Sequence, residues 1–180
     1  MTAYPGPQAA AWWRGLQPQD GPGDRRPGDR GALARLRRCA SVMDAASEPA
    51  AITLCRRLRA GEAGLERAAL LAAVLAHVRE DDPRLSVARQ IGVPSDGAAP
   101  MSDLRFRRLL QAETLDEQLI GFRRLVALAG RKLNVADLAA GLWRWNDEAT
   151  RRHWIYAYHD APEFQTGADT TQPVTEDASA

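Results

Sequence analysis

Paired arginines are the residues of this sequence whose chemistry is easiest to interpret. All of its 24 basic residues except Lys132 are arginines, and six Arg-Arg pairs occur. Guanidinium groups bind phosphates and carboxylates through two parallel hydrogen bonds and stack on planar rings. The pairs therefore favour an anionic partner, although a GC-rich genome also favours arginine over lysine. The pairs lie at 25–26, 37–38, 56–57, 107–108, 123–124 and 151–152.

The charge is distributed unevenly along the chain. The formal net charge is +1, but residues 160–180 hold five acidic and no basic residues, so residues 1–159 carry +6. Two basic segments, 14–59 and 105–152, flank a more acidic segment at 60–104. This distribution is compatible with an anionic partner. The acidic tail is interpreted as a solvated appendage; the alternative is a shield over the basic surface.

The other reactive side chains do not form a recognisable catalytic or metal site. The sequence contains neither the phosphate-binding pattern G-x-x-x-x-G-K-[ST] nor the nucleophile pattern G-x-S-x-G. His77, His153 and His159 are not spaced as zinc ligands, and Cys39 and Cys55 are predicted to be small buried hydrophobic residues. We therefore expect no enzymatic activity, no metal and no cofactor.

The elements that position the arginines are predicted to be helices throughout. Apolar residues make up 45% and charged residues 26% of the chain, and β-branched residues are scarce. No apolar run is long enough to span a membrane, and no signal peptide is visible, so a cytoplasmic protein is expected. The predicted fold is all-α, with two small helical bundles joined by a linker. The predicted units are an N-terminal bundle at 9–91, the linker at 92–101, a C-terminal bundle at 102–159 and a disordered acidic tail at 160–180.

Local signals place the individual helices. One helix is predicted from an Asp29 cap to about Ala46, because Leu33, Leu36, Ala40 and Met43 form an apolar stripe. Residues 65–80 are apolar nearly all round, which predicts a buried central helix. Further helix starts are predicted at Ser47, Ser102, the Thr114–Glu117 capping box, Asn134 and Asn146, while Trp145, Trp154 and Tyr158 are predicted to fill the core. No strand is predicted.

Arginines of three predicted helices lie away from the apolar stripe of their own helix. In one interpretation they are solvated faces of amphipathic helices; in the other, several helices combine their guanidinium groups into one surface that binds a sugar-phosphate backbone. Helical periodicity does not distinguish these alternatives. The arginines opposite or flanking the stripes are Arg35, Arg37, Arg38, Arg105, Arg107, Arg108, Arg123 and Arg124.

The sequence resembles a known family over residues 11–159. The run F-R-R-L-V-A-L-A followed by L-N-V-A-D-L-A-A-G-L-W-R-W-N-D-E-A-T-R-R-H-W, within 122–154, resembles CasB, the small subunit of the type I-E CRISPR Cascade complex. An N-terminal aromatic helix, the segment G-D-R-G-A-L-A-R-L-R-R at 28–38 and R-F-R-R-L-L at 105–110 agree with it.

The resemblance implies a non-catalytic, all-helical subunit of an antiviral complex. The implied partners are guide RNA and DNA, the backbone and large subunits of Cascade, and a second copy of the chain, and the implied role is to stabilise the R-loop. The alternative is a helical protein–protein adaptor without nucleic-acid contact. The residues that match basic positions of the family, and are therefore predicted to contact nucleic acid, are Arg37, Arg38, Arg89, Arg105, Arg107, Arg108, Arg123 and Arg124, with Arg144 and Lys132 as weaker candidates.

Overall fold

A computed structural model describes residues 5–18, 28–92 and 99–159. Most of the predicted 92–101 linker, residues 19–27 and the 160–180 tail lie outside these described residues. The all-α fold class is confirmed. None of the described helices is long and apolar enough to cross a membrane. The described elements are α1 (Pro5–Leu16), α2 (Arg30–Arg38), α3 (Val42–Ala46), α4 (Pro49–Arg57), a 3-10 turn (Glu62–Gly64), α5 (Leu65–Leu75), β1 (Glu80–Asp81), α6 (Val87–Ile91), α7 (Asp103–Leu110), α8 (Leu115–Leu128), β2 (Lys132–Leu133), α9 (Val135–Trp143) and α10 (Glu148–Tyr158).

Helix α5 forms the centre of the molecule. Every residue from 68 to 75 is fully buried, as expected for a helix that is apolar on all faces. It packs against α3, α4, α8 and α9. The predicted helix continues to residue 80, whereas the observed helix ends at Leu75, because the chain then turns into β1.

One hydrophobic core contains residues of both predicted bundles. Helix α1 packs on α9, and α6 packs on α10. Trp12 and Trp13 of α1 are buried, and the indole Nε1 of Trp12 donates to the carbonyl of Ala50 at 3.1 Å. The division into two bundles remains a prediction.

The structure contains a parallel pair of two-residue strands, so the expectation of no strand is wrong. Glu80 of β1 lies opposite Lys132 of β2 in the strand register, and their side chains form an ion pair. Gly130 and Arg131 both have left-handed backbone conformations, with φ of 66° and 64°, and they turn the chain from α8 into β2. Two residues are too few to show strand periodicity, which is why the sequence pattern does not reveal the pair.

The predicted helix from residue 30 to Ala46 is divided in two, so that prediction is wrong in its length. The chain leaves the helix at Cys39, and Ser41 begins α3 with a capping box. The Ser41 hydroxyl accepts from the Asp44 N–H, and the Asp44 carboxylate accepts from the Ser41 N–H, both at 3.1 Å. Met43 is consequently 62% exposed rather than buried.

Aromatic side chains fill the core beside α8 and α10, as predicted. Trp145 and Trp154 are buried and meet edge to face at a centroid distance of 5.0 Å. The ring of Tyr158 stacks on Phe106 at 4.0 Å, and its hydroxyl donates to the Met101 carbonyl at 2.7 Å. The last helix is capped by Asp147 and not, as predicted, by Asn146.

Gly92 is required where α6 meets the end of α10. A Cβ at this position would lie 2.1 Å from the Tyr158 carbonyl oxygen, which is a backbone atom and cannot rotate away. We expect Gly92→Ala to lower the free energy of unfolding by about 1–3 kcal/mol, measured by urea denaturation. Gly15→Ala is the control, because a Cβ there meets nothing within 4 Å. Equal stabilities of the two variants would contradict this packing.

Candidate nucleic-acid interface

A groove between α7 and α8 collects three of the predicted arginines. Arg105, Arg108 and Arg124 line this cavity of about 720 Å³, which we call the α7–α8 groove. The apolar part of its lining includes Ile120 and Leu128. The other lining residues are Met101, Leu109, Gln111, Ala112, Glu117, Gly121 and Ala127.

Helical geometry explains why these arginines face the groove. Arg105 and Arg108 are three residues apart on α7, so they project from one side of the helix, while Phe106 and Leu109 are buried on another. Arg124 lies on the exposed side of α8. Within the described residues none of the three arginines forms an ion pair.

The single carboxylate in the groove lining is already engaged. Glu117 belongs to the predicted capping box of α8, which is confirmed: its carboxylate accepts from the N–H groups of Thr114 at 3.1 Å and Glu113 at 3.0 Å. These backbone hydrogen bonds hold the pKa of Glu117 below its ordinary value. The groove therefore combines apolar side chains with three guanidinium groups, none of which forms an ion pair within the described residues, and Glu117 adds one negative charge to the same lining.

Three of the other predicted arginines lie outside the groove lining. Arg107 pairs with Asp103 one turn earlier in α7, with 2.9 Å between Nε and Oδ2. Arg38 is exposed at the end of α2, and Arg89 is half-buried on α6.

The remaining two, Arg37 and Arg123, are half-buried and bind backbone carbonyls. Arg123 donates to Cys39 at 2.8 Å and to Leu36 at 3.0 Å, so it caps the C-terminal end of α2. Arg37 donates from Nε to the carbonyl of Ala76, at the end of α5, at 2.6 Å. Burial lowers the pKa of both arginines.

Two further arginines, Arg79 and Arg131, extend this basic region and are missed by the sequence analysis. The Arg79 N–H donates to the Arg131 carbonyl at 2.8 Å. Burial is the largest cause that lowers the pKa of Arg37, and the charges of these two arginines are the next largest. Both follow a helix end rather than lying in a helix, so helical periodicity does not reveal them. We call Arg37, Arg79, Arg123, Arg131 and the neighbouring His77 the His77 cluster.

Comparison with known proteins identifies the family. No curated protein matches the chain. The family model of CRISPR-associated protein Cse2 matches residues 32–159. A chain in a crystal structure of E. coli Cascade bound to a PAM-containing dsDNA target is similar with a TM-score of 0.58 and 19% identity, over 83% of this chain and 95% of that chain. This likeness confirms the fold, and the family match shows that the chain belongs to the Cse2 family, which is the CasB family of the resemblance.

Proposed function

We propose that the protein is a non-catalytic subunit of a type I-E Cascade complex and that it binds the sugar-phosphate backbone of nucleic acid. Family membership supports the first part of this proposal, because the similar solved chain belongs to a Cascade complex bound to DNA. The observation that carries the binding function is the α7–α8 groove, where Arg105, Arg108 and Arg124 line one cavity together with apolar side chains. The proposed partners are the other Cascade subunits, a second copy of the chain, guide RNA and DNA.

The chemistry of the groove suits a strand whose sequence is not read. Guanidinium groups bind phosphate oxygens bidentately, and the apolar side chains of the groove lining can contact sugars or unstacked bases. Such contacts depend little on base identity and weaken steeply with salt, because binding releases counterions from the strand. Ile120, which is 49% exposed, adds apolar surface to the groove lining.

Contacts of this kind are sufficient for the proposed role in the R-loop. The guide–target heteroduplex is about as stable as the DNA duplex that it replaces, so small additional interactions decide the balance. A subunit that binds the displaced strand or the heteroduplex backbone shifts this balance without any catalytic step.

Charge reversal in the α7–α8 groove tests this function. We expect the variant R105E/R108E/R124E to bind oligothymidylate about 10- to 30-fold more weakly at low salt, because three phosphate contacts become repulsive. The slope of log affinity against log salt should decrease in magnitude by about 2. Fluorescence anisotropy measures both quantities, and circular dichroism checks the helical content.

The matched control is R56E/R57E/R59E, which makes the same change in net charge at exposed arginines of and after α4. It should retain most of the affinity. Equal losses in the two variants would show that only net charge matters and would contradict the assignment to the groove.

An adaptor without nucleic-acid contact is the second candidate. It is favoured by Leu104, which is 60% exposed on α7 and could pack against a partner protein. An adaptor predicts no affinity for oligothymidylate and an association with Cascade subunits that survives nuclease treatment.

A further inference from the structure

The His77 cluster is built from segments that are distant in the sequence. Arg37 of α2 binds the carbonyl of Ala76, the residue before His77. Arg123 of α8 binds the carbonyl of Leu36, the residue before Arg37. The N–H groups of Arg79 and Glu80 both donate to the Arg131 carbonyl, at 2.8 and 3.3 Å. Hydrogen bonds from two arginine side chains and from the backbone thus hold the segments that carry the cluster together.

The positive charge of the cluster is not neutralised within the described residues. None of Arg37, Arg79, Arg123 and Arg131 forms an ion pair with a carboxylate in that part of the chain. Glu80, which neighbours Arg79, pairs with Lys132 instead. Adjacent like charges raise the free energy of the folded protein, and a bound anion relieves this repulsion.

His77 lies among these charges with an unused polar atom. Its Nε2 is buried and has no hydrogen-bond partner. Burial, followed by the charges of Arg123, Arg37 and Arg131, lowers the pKa of His77 to about 4. These arginines belong to α8, α2 and the turn before β2. No charged group of α3, α4 or α9, which also pack against α5, affects the pKa of His77. The imidazole is therefore neutral at physiological pH.

We propose that the His77 cluster is a second phosphate-binding site for a nucleic-acid strand, and that binding of a phosphodiester there favours protonation of His77 at mildly acidic pH. The inference rests on the proposed function and adds a proton-linked subsite to it. Burial first, and the arginine charges second, keep the imidazole neutral; the entering phosphate offsets the arginine charges.

The sign of the pH dependence follows from linkage. A ligand that raises the pKa of a group binds more tightly when that group is protonated. Binding of a phosphodiester should raise the pKa of His77 by about 1 to 2. The affinity for oligothymidylate should then increase about two- to tenfold between about pH 7 and pH 5.

The experiment follows the imidazole resonance of His77 by NMR in the full chain, titrated with and without saturating oligothymidylate. We expect a higher pKa of His77 in the bound state, and no such increase in R79E/R131G. Glycine suits position 131 because its φ is 64°. H77Q should bind at about pH 7 like the parent and lose the increase in affinity at about pH 5. H153Q, changed at an exposed histidine of α10, is the control that should keep it.

The outcomes separate this inference from the proposed function. If oligothymidylate binds and the pKa of His77 does not change, the second site is refuted while binding through the α7–α8 groove remains. If oligothymidylate does not bind, the proposed function is refuted, and titration with pyrophosphate then tests whether the His77 cluster binds phosphate. An increased pKa of His77 with pyrophosphate would support a phosphate site in the cluster, and an unchanged pKa would refute it.

Discussion

Replacing Trp145 with alanine is expected to lower the free energy of unfolding by about 3–5 kcal/mol. The indole is fully buried and meets Phe122 edge to face at 4.8 Å and Trp154 at 5.0 Å. Alanine would leave a cavity beside rings that are held by two different helices, α8 and α10, which limits how far the surroundings can collapse into it. Urea denaturation followed by circular dichroism measures the change.

Trp145→Phe separates packing from polarity at the same position. Phenylalanine keeps a ring against Phe122 and Trp154 and removes the indole Nε1, which is buried without a hydrogen-bond partner. We expect a loss of only about 1–2 kcal/mol, since removal of an unsatisfied N–H offsets part of the lost contact. A loss as large as that of Trp145→Ala would contradict the claim that ring packing dominates at this site.

The second large effect is expected at Arg123. We predict that Arg123→Met lowers the free energy of unfolding by about 2–4 kcal/mol, because the carbonyls of Leu36 and Cys39 lose charge-assisted hydrogen bonds. Methionine retains much of the aliphatic packing, so the loss would report mainly on these bonds. The midpoint of urea denaturation gives the measurement.

Arg124→Met is the matched control, one residue further along α8. Arg124 is exposed and makes no ion pair within the described ranges, so its replacement should change the stability by less than about 0.5 kcal/mol. Similar losses at the two positions would refute a structural role for Arg123. The expected contrast is also the reason for leaving Arg123 out of the charge-reversal test of binding.

Local signals in the sequence were sufficient for the helices whose ends are set by neighbouring residues. Helix α8 is the clearest case, because Thr114 and Glu117 form the predicted capping box and Gly130 ends the helical segment with a positive φ. The break between α2 and α3 was missed because the apolar stripe continues across it. Ser41 and Asp44, three residues apart, are themselves a capping-box signal, and the stripe obscured it.

The arrangement of the arginines could be predicted only in part. Periodicity places Arg108 and Arg124 away from the apolar stripes and Arg105 at the edge of one, but whether they line one groove depends on how α7 packs against α8. The partners of Arg123 lie 84 and 87 residues away, in a segment that no helical pattern connects to α8. Long-range packing therefore decides that Arg123 supports the end of α2, whereas Arg105, Arg108 and Arg124 line the α7–α8 groove.

The packing of α1 on α9 has a consequence for biosynthesis. Helix α1 ends at Leu16 and α9 begins at Val135, so ribosomes that add about 5–20 residues per second complete the two halves of this contact roughly 5–25 s apart. Until α9 emerges, α1, which carries Trp12 and Trp13, lacks a helix against which it packs in the mature molecule. Part of the apolar surface of α1 is therefore uncovered during translation, and surface of this kind is what chaperones shield from aggregation.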